Sequence, residues 1–287
     1  MLEFLYQLGL ENLDYVIATH HDADHIGGMD TVLQNIEVTD GVFFGYLPDK
    51  LIPTTKTYED LLDVIEQKNL DLSLLRAGDT LDLGSGAVLS VLGPVTEEIN
   101  SKNNGSVVSR LDFGETSFLF NGDQEKEMEK LLLQSGADLD CDMMTMGHHG
   151  SSTSSTQEYL DAVTPEYASI SCGKGNTYGL PHGETLSILR DAKVDVYRTD
   201  LQGTITIGSD GQNFTVGTER FVPDSQLNPT DPSASSTAQQ AYIGNVNSKK
   251  FHLPTCANLP AEKNQILFSS YDEAIAAGYT PCASCIK

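Results

Sequence analysis

One run of ten residues, Thr19-His20-His21-Asp22-Ala23-Asp24-His25-Ile26-Gly27-Gly28, restricts what this 287-residue chain can fold into more than any other stretch. The apolar run Tyr15-Val16-Ile17-Ala18 leads into it and predicts a buried strand, and two glycines close it. Four side chains able to bind a metal, His20, Asp22, Asp24 and His25, fall within six residues. A loop at the C-terminal end of a strand can turn all four toward one point. Two carboxylates gathered beside imidazoles raise each other's energy unless a cation neutralises them. The competing reading is an exposed acidic turn with no function. Imidazole donors suit zinc, manganese or iron, and the added carboxylates move the preference toward manganese.

The rest of the chain supplies a layered frame for such a loop. Strands are expected over Leu13 to Thr19, Val42 to Phe44, Ala87 to Leu92, Val107 to Phe113, Thr116 to Phe120, Met143 to Met146, Tyr167 to Ser171, Val194 to Tyr197, Thr204 to Ile207 and Phe214 to Val216. Helices are expected from Phe4 to Gly9 and over Thr57 to Gln67, Glu125 to Gln134, Gln157 to Ala162 and Thr185 to Asp191. This interleaving predicts an α/β layered domain. Residues 223–240 hold three prolines among small polar residues and read as a linker. They divide a domain over 1–222 from a module over 241–287. No run approaches the length of a transmembrane segment, and no secretory leader is visible at Met1.

The net charge is −24, with residues 242–287 at +1 and the remainder at −25. Such a surface repels polyanions at long range, which argues against non-specific nucleic-acid binding through a broad basic face. A dication in a cleft reverses the local field, so a nuclease stays open.

The seven histidines, 20, 21, 25, 148, 149, 182 and 252, sit beside Gly, Asp, Pro or another His, in turn-like contexts. The pattern His-x-Asp-x-Asp-His-x-Gly-Gly from His20 resembles the signature of the ComEC-type branch of the metallo-β-lactamase superfamily. Asp22 stands where most members of the superfamily have a second His. Four further blocks follow in the same order as in that branch: Asn104-Gly105-Ser106, Asn121-Gly122-Asp123, Met146-Gly147-His148-His149-Gly150-Ser151, and Asn176-Thr177-Tyr178-Gly179-Leu180-Pro181-His182.

The resemblance implies an αββα sandwich with one or two zinc or manganese ions at one edge. It implies that His20 and Asp22 hold one ion, that Asp24, His25 and His182 hold the other, and that Asp123 bridges them. His148 or His149 is a ligand or the proton donor to the leaving group, and Asp24 orients the attacking water. Ser151 and the backbone N–H groups near Gly150 are candidates to hold an oxyanion. Two departures stand out. Asn103 and Asn104 occupy the place of the usual third-block histidine. The sequence also begins at the helix that follows the family's first strands, so one sheet is expected to lack them and the true start to lie upstream.

The substrate implied is a phosphodiester, DNA above all. The alternatives are a small lactone, thioester or β-lactam, or a catalytically silent metal-binding module that acts through interactions. The resemblance also implies an extracellular or cell-surface address in a bacterium, with a cytoplasmic address as the alternative.

The last 46 residues carry a separate pattern. His252, Cys256, Cys282 and Cys285 form a Cys3His set whose Cys-x-x-Cys end suits tetrahedral zinc. So short a module has little core, and a metal staple offsets that. It resembles the Ada-type metal-binding module, which uses four cysteines. The alternative is a disulfide of Cys282 with Cys256 or Cys285 that leaves His252 idle.

Overall fold

The computed structural model describes residues 1–229, 242–252, 256, 258–268, 274, 277–282 and 285. Helix α1 (Leu2–Gln7) precedes strand β1 (Asn12–Ala18). After a helical turn, α2 (Ala23–Ile26), come α3 (Met29–Asn35), β2 (Glu37–Gly45), α4 (Lys56–Gln67) and β3 (Leu72–Leu75). Strands β1, β2 and β3 form a parallel three-stranded sheet in that order. The side-chain alternation of a strand sorts its two faces. Ala18, Val42 and Phe44 face Ile26, Met29, Leu33, Leu61, Val64 and Ile65 of the helices. Ile17 and Phe43 point the other way, to Leu75, Val91 and Val107.

That second contact joins the first sheet to a larger one. Strands β4 (Thr80–Gly84), β5 (Ala87–Gly93), β6 (Val108–Phe113) and β7 (Thr116–Phe120) run antiparallel to their neighbours. Strands β8 (Met143–Thr145), β9 (Tyr167–Ile170) and β10 (Asp195–Arg198) extend the sheet from β7 in parallel. The parallel half needs crossovers, which α5 (Lys126–Ser135), α6 (Gln157–Val163) and α7 (Gly183–Asp191) provide. Their apolar faces, including Met128, Leu132, Tyr159, Leu160, Leu186 and Leu189, pack on Leu119, Met144, Ala168 and Ile170. The layers are therefore helix, sheet, sheet, helix, the αββα sandwich expected, with three strands in the first sheet.

Several elements differ from expectation, and α3 is among those the sequence did not suggest. The His20–His25 segment is partly helical: the amides of His25 and Ile26 bond the carbonyl of Asp22, so α2 starts inside the motif. Strands β3 and β4 were not expected: Leu72-Ser73-Leu74 and Leu81-Asp82-Leu83 alternate as strands do, but both are short and expose most of their side chains. Helix α8 (Thr199–Gln202) and the hairpin of β11 (Ile205–Ser209) with β12 (Phe214–Thr218) close this part.

The segment from 223 opens with helix α9 (Asp224–Leu227), whose Leu227 is buried. The Arg198 guanidinium donates to the Leu227 carbonyl and that of Arg190 to the Pro229 carbonyl. Residues 230–240 of the expected linker lie outside the described residues. Among the described residues, no helix is long and apolar enough to cross a membrane.

In the C-terminal module, β13 (Tyr242–Asn245), β14 (Lys250–His252), β15 (Gln265–Phe268) and β16 (Thr280–Pro281) form one sheet. Its core is Phe251, Phe268, Ala274 and Tyr279, with Tyr242 against it.

Candidate metal centre

Asp123 is the hub. It follows Gly122, whose φ of 53° ends β7 abruptly. A Cβ at Gly122 would press on Ser106 at 2.8 Å, so the position is restricted to glycine twice over. The Ser106 hydroxyl accepts from the Asp123 amide at 3.0 Å and fixes the turn. The carboxylate then lies among four imidazoles. Asp123 Oδ1 is 3.2 Å from His25 Nε2, and Oδ2 is 3.5 Å from His149 Nε2 and 3.8 Å from both His20 Nε2 and His148 Nε2.

The histidines arrive from two loops. His20 and His25 lie at the end of β1 and in α2, and the Thr19 hydroxyl contacts the Nδ1 of each, at 3.4 and 3.2 Å. His148 and His149 are consecutive residues in the left-handed region, at φ 49° and 57°, and Gly150 follows at φ 81°. Non-glycine residues adopt this conformation rarely, and it clusters where function imposes it. Here it lets both neighbours face Asp123. His149 Nδ1 donates to the Ser171 carbonyl at 2.7 Å, which leaves the Nε2 lone pair directed inward.

Asp24, His25, Asp123 and His149 present donor atoms that all lie within 4.8 Å of one another. Three of the separations, His25 Nε2 to His149 Nε2, His25 Nε2 to Asp123 Oδ1, and His149 Nε2 to Asp24 Oδ2, are each 3.2 Å. Ligand bonds of about 2.0–2.1 Å in a tetrahedral arrangement place neighbouring donors roughly 3.3 Å apart. The donor set therefore fits one zinc or manganese ion. Fully buried His20 adds an Nε2 with no hydrogen-bond partner, 3.6 Å from Asp22 Oδ2.

Protonation follows this crowding. Burial, reinforced by the nearby His25, pushes His20 down to about 4, against the pull of Asp123. Burial opposes protonation of His25 too, but its hydrogen bond to Asp123 prevails and raises it. Burial likewise works against the Asp123 carboxylate, yet the His25 hydrogen bond and the surrounding imidazoles hold it below the usual range.

Other residues of the motif blocks lie elsewhere. His182 does not join the four-residue group. Its Nδ1 accepts from the Ser152 amide at 2.9 Å and its Nε2 faces the Tyr178 carbonyl at 3.3 Å, so it ties two loops together. Spacing alone cannot separate a ligand from such a brace. Ser151 is buried, with its hydroxyl on Thr153 and its amide on the His148 carbonyl, so it presents no oxyanion donor. Asn104 is structural, accepting from the Glu125 amide at 2.9 Å and donating to Asn100. His21 is packed between Phe44 and Tyr58, away from Asp123's contacts. One residue that sequence reasoning passed over reaches the site: the Lys102 ammonium forms an ion pair with Asp22. Its place beside the altered third block was the available signal.

In the C-terminal module His252, Cys256, Cys282 and Cys285 also bring their donor atoms within 4.8 Å of one another. His252, Cys256 and Cys282 are buried, with His252 Nδ1 at 3.4 Å from Cys256 Sγ. Strand β14 delivers His252, and the Phe251 carbonyl accepts the Cys282 amide across the sheet. Soft donors in this number suit zinc.

Two family models match the chain, one over each part. Residues 3–174 match the family model described as the Metallo-beta-lactamase superfamily, and residues 230–287 match the metal binding domain of Ada. The chain is 33% identical over 205 residues to ComE operon protein 3 of Bacillus subtilis, a match covering 71% of this chain and 26% of that protein. It is 31% identical over 206 residues to Competence protein ComA of Neisseria gonorrhoeae, covering 70% and 26%. Recombination protein 2 of Haemophilus influenzae is 27% identical over 210 residues, covering 72% and 24%. The chain thus spans about a quarter of the length of these relatives. With a family model matched over more than half its length, the chain belongs to the metallo-β-lactamase superfamily.

Proposed function

We propose that this chain is a metal-dependent hydrolase that cleaves phosphodiester bonds, with DNA as its substrate. The convergence of Asp24, His25, Asp123 and His149 at the spacing of ligands around one ion carries the hydrolase reading. Relatives named for competence and recombination favour a nucleic acid as substrate. A zinc or manganese ion at this point supplies the Lewis acidity that phosphoryl transfer to water requires.

The chain's own groups do the rest. His25, Asp123 and His149 would hold the ion. Asp24, with its side chain 63% exposed, stands at the mouth, where it would orient the attacking water and help hold the ion. His148 has its Nδ1 held by the Thr153 hydroxyl at 3.1 Å, with Glu125 at 3.6 Å, and its Nε2 faces the centre. It is placed to give a proton to the leaving oxygen. His182, held between Ser152 and the Tyr178 carbonyl, positions the loop over 176–182 in this reading. A second reading, hydrolysis of a small lactone, thioester or β-lactam, is favoured by the net charge of −24, which repels a polyanion.

A panel separates the two: single-stranded DNA and bis-p-nitrophenyl phosphate on one side, nitrocefin and a simple lactone on the other, each with and without manganese. Metal-dependent phosphodiester cleavage is expected, and Asp24→Asn lowers its rate about 100-fold or more while the fold is retained. Turnover of the lactone or nitrocefin alone would replace this reading with the second.

A further inference from the structure

The site holds three carboxylates, Asp22, Asp24 and Asp123, but only Asp24 and Asp123 belong to the four-residue group. Asp22 sits on the far side of His20, whose Nε2 lies 3.6 Å from Asp22 Oδ2 and 3.8 Å from Asp123 Oδ2. These three donors outline a second cation position. His20 is fully buried and its Nε2 has no hydrogen-bond partner, so that nitrogen is open to a cation if the surrounding charge admits one. Yet the Lys102 ammonium already sits on the other oxygen of Asp22, 80 residues away in sequence. It enters from the segment where the family's third-block histidine is absent, just before the short 3-10 turn Asn103–Gly105.

We propose that Lys102 is a built-in cation that takes the place of a second divalent ion, so that the native centre holds one ion and removal of the ammonium opens a second position between His20, Asp22 and Asp123. The charge count supports this. One dication and one ammonium neutralise the three carboxylates when the histidines are neutral, whereas two dications beside the ammonium leave an excess of two positive charges in a half-buried pocket. A lysine on a flexible stem is also suited to a single carboxylate, where it acts as a point charge.

The inference rests on the reading of the centre as a metal site, and the test distinguishes the two by counting ions with no substrate present. Manganese is added to metal-stripped full-length chain and counted by electron paramagnetic resonance. Its preference for oxygen and imidazole donors keeps it out of the Cys3His set. The wild-type chain is expected to bind one tightly held ion. Lys102→Ala is expected to bind two, with the broadened spectrum of a spin-coupled pair about 3.5–4 Å apart. Lys102→Arg, which restores the positive charge, is expected to return the count to one. Two ions in the wild-type chain, or one in Lys102→Ala, would overturn the proposal while leaving the metal centre in place. No bound ion in any of the three would remove the metal centre itself and the proposal with it. The wild-type count decides on its own even if Lys102→Ala fails to fold.

Discussion

At the scale of the residue, burial keeps the imidazoles of His20 and His21 neutral. His20 and His21 are both pushed down to about 4, and burial is the largest cause for each, followed by the His25 charge for His20 and the Lys102 charge for His21. A histidine whose folded value lies below its unfolded one binds fewer protons in the folded state. Its contribution is present above about pH 6.5 and is lost as the pH falls through that value toward 4. Metal-stripped protein should therefore lose stability over this window, by up to about 3 kcal/mol for each histidine. Urea unfolding from pH 7 to 4.5 checks this, and His21→Phe, which fits the slot between Phe44 and Tyr58, should flatten the slope. Asp24 and His25 stood out in the sequence because acid and imidazole side chains repeat at close spacing, whereas Asp123 and His149 stood out only through the family resemblance. The role of His182 was not legible, since it depends on whether Ser152 and Tyr178 reach its ring first. Lys102 was hidden for a similar reason: nothing local ties it to a carboxylate 80 residues earlier.

At the scale of the element, the site depends on where strands stop. Apolar runs foretold β1, β5, β7 and β8 and placed the motif blocks near their ends. The helical turn α2 escaped because its four residues include two ligands and only one buried apolar side chain. Glycine marks the exits. At Gly27 a Cβ would overlap the Ala23 carbonyl oxygen, which holds the turn tight. Gly122→Ala meets both the left-handed backbone and the Ser106 side chain, and should cost about 1–3 kcal/mol. Because the displacement lands on Asp123, metal affinity should fall with stability. Chelator competition and thermal melting together test this, and a loss of stability with affinity unchanged would show that Asp123 is positioned by something other than this turn.

At the scale of the whole molecule, a net charge of −24 surrounds a centre proposed to act on a polyanion. Long-range repulsion then slows encounter with DNA, and salt screens it over a Debye length of about 10 Å at 0.1 M. Cleavage of DNA should accelerate as salt rises from a few millimolar toward about 0.1 M, while turnover of an uncharged substrate should not. Initial rates across that range check the claim, and a DNA rate that falls steadily with salt would point to a cationic binding face instead. An α/β layered domain was legible from the alternation of elements, and the αββα order from the family resemblance. Strands β3 and β4 were passed over although their leucines alternate with polar residues, because the runs are short and those leucines stay largely exposed.

Anomalous diffraction from crystals of the whole 287-residue chain soaked in manganese locates the ion itself. The account predicts a peak bounded by Asp24, His25, Asp123 and His149, with ligand distances near 2.0–2.2 Å. A peak on other residues only, or none at saturating manganese, would contradict it.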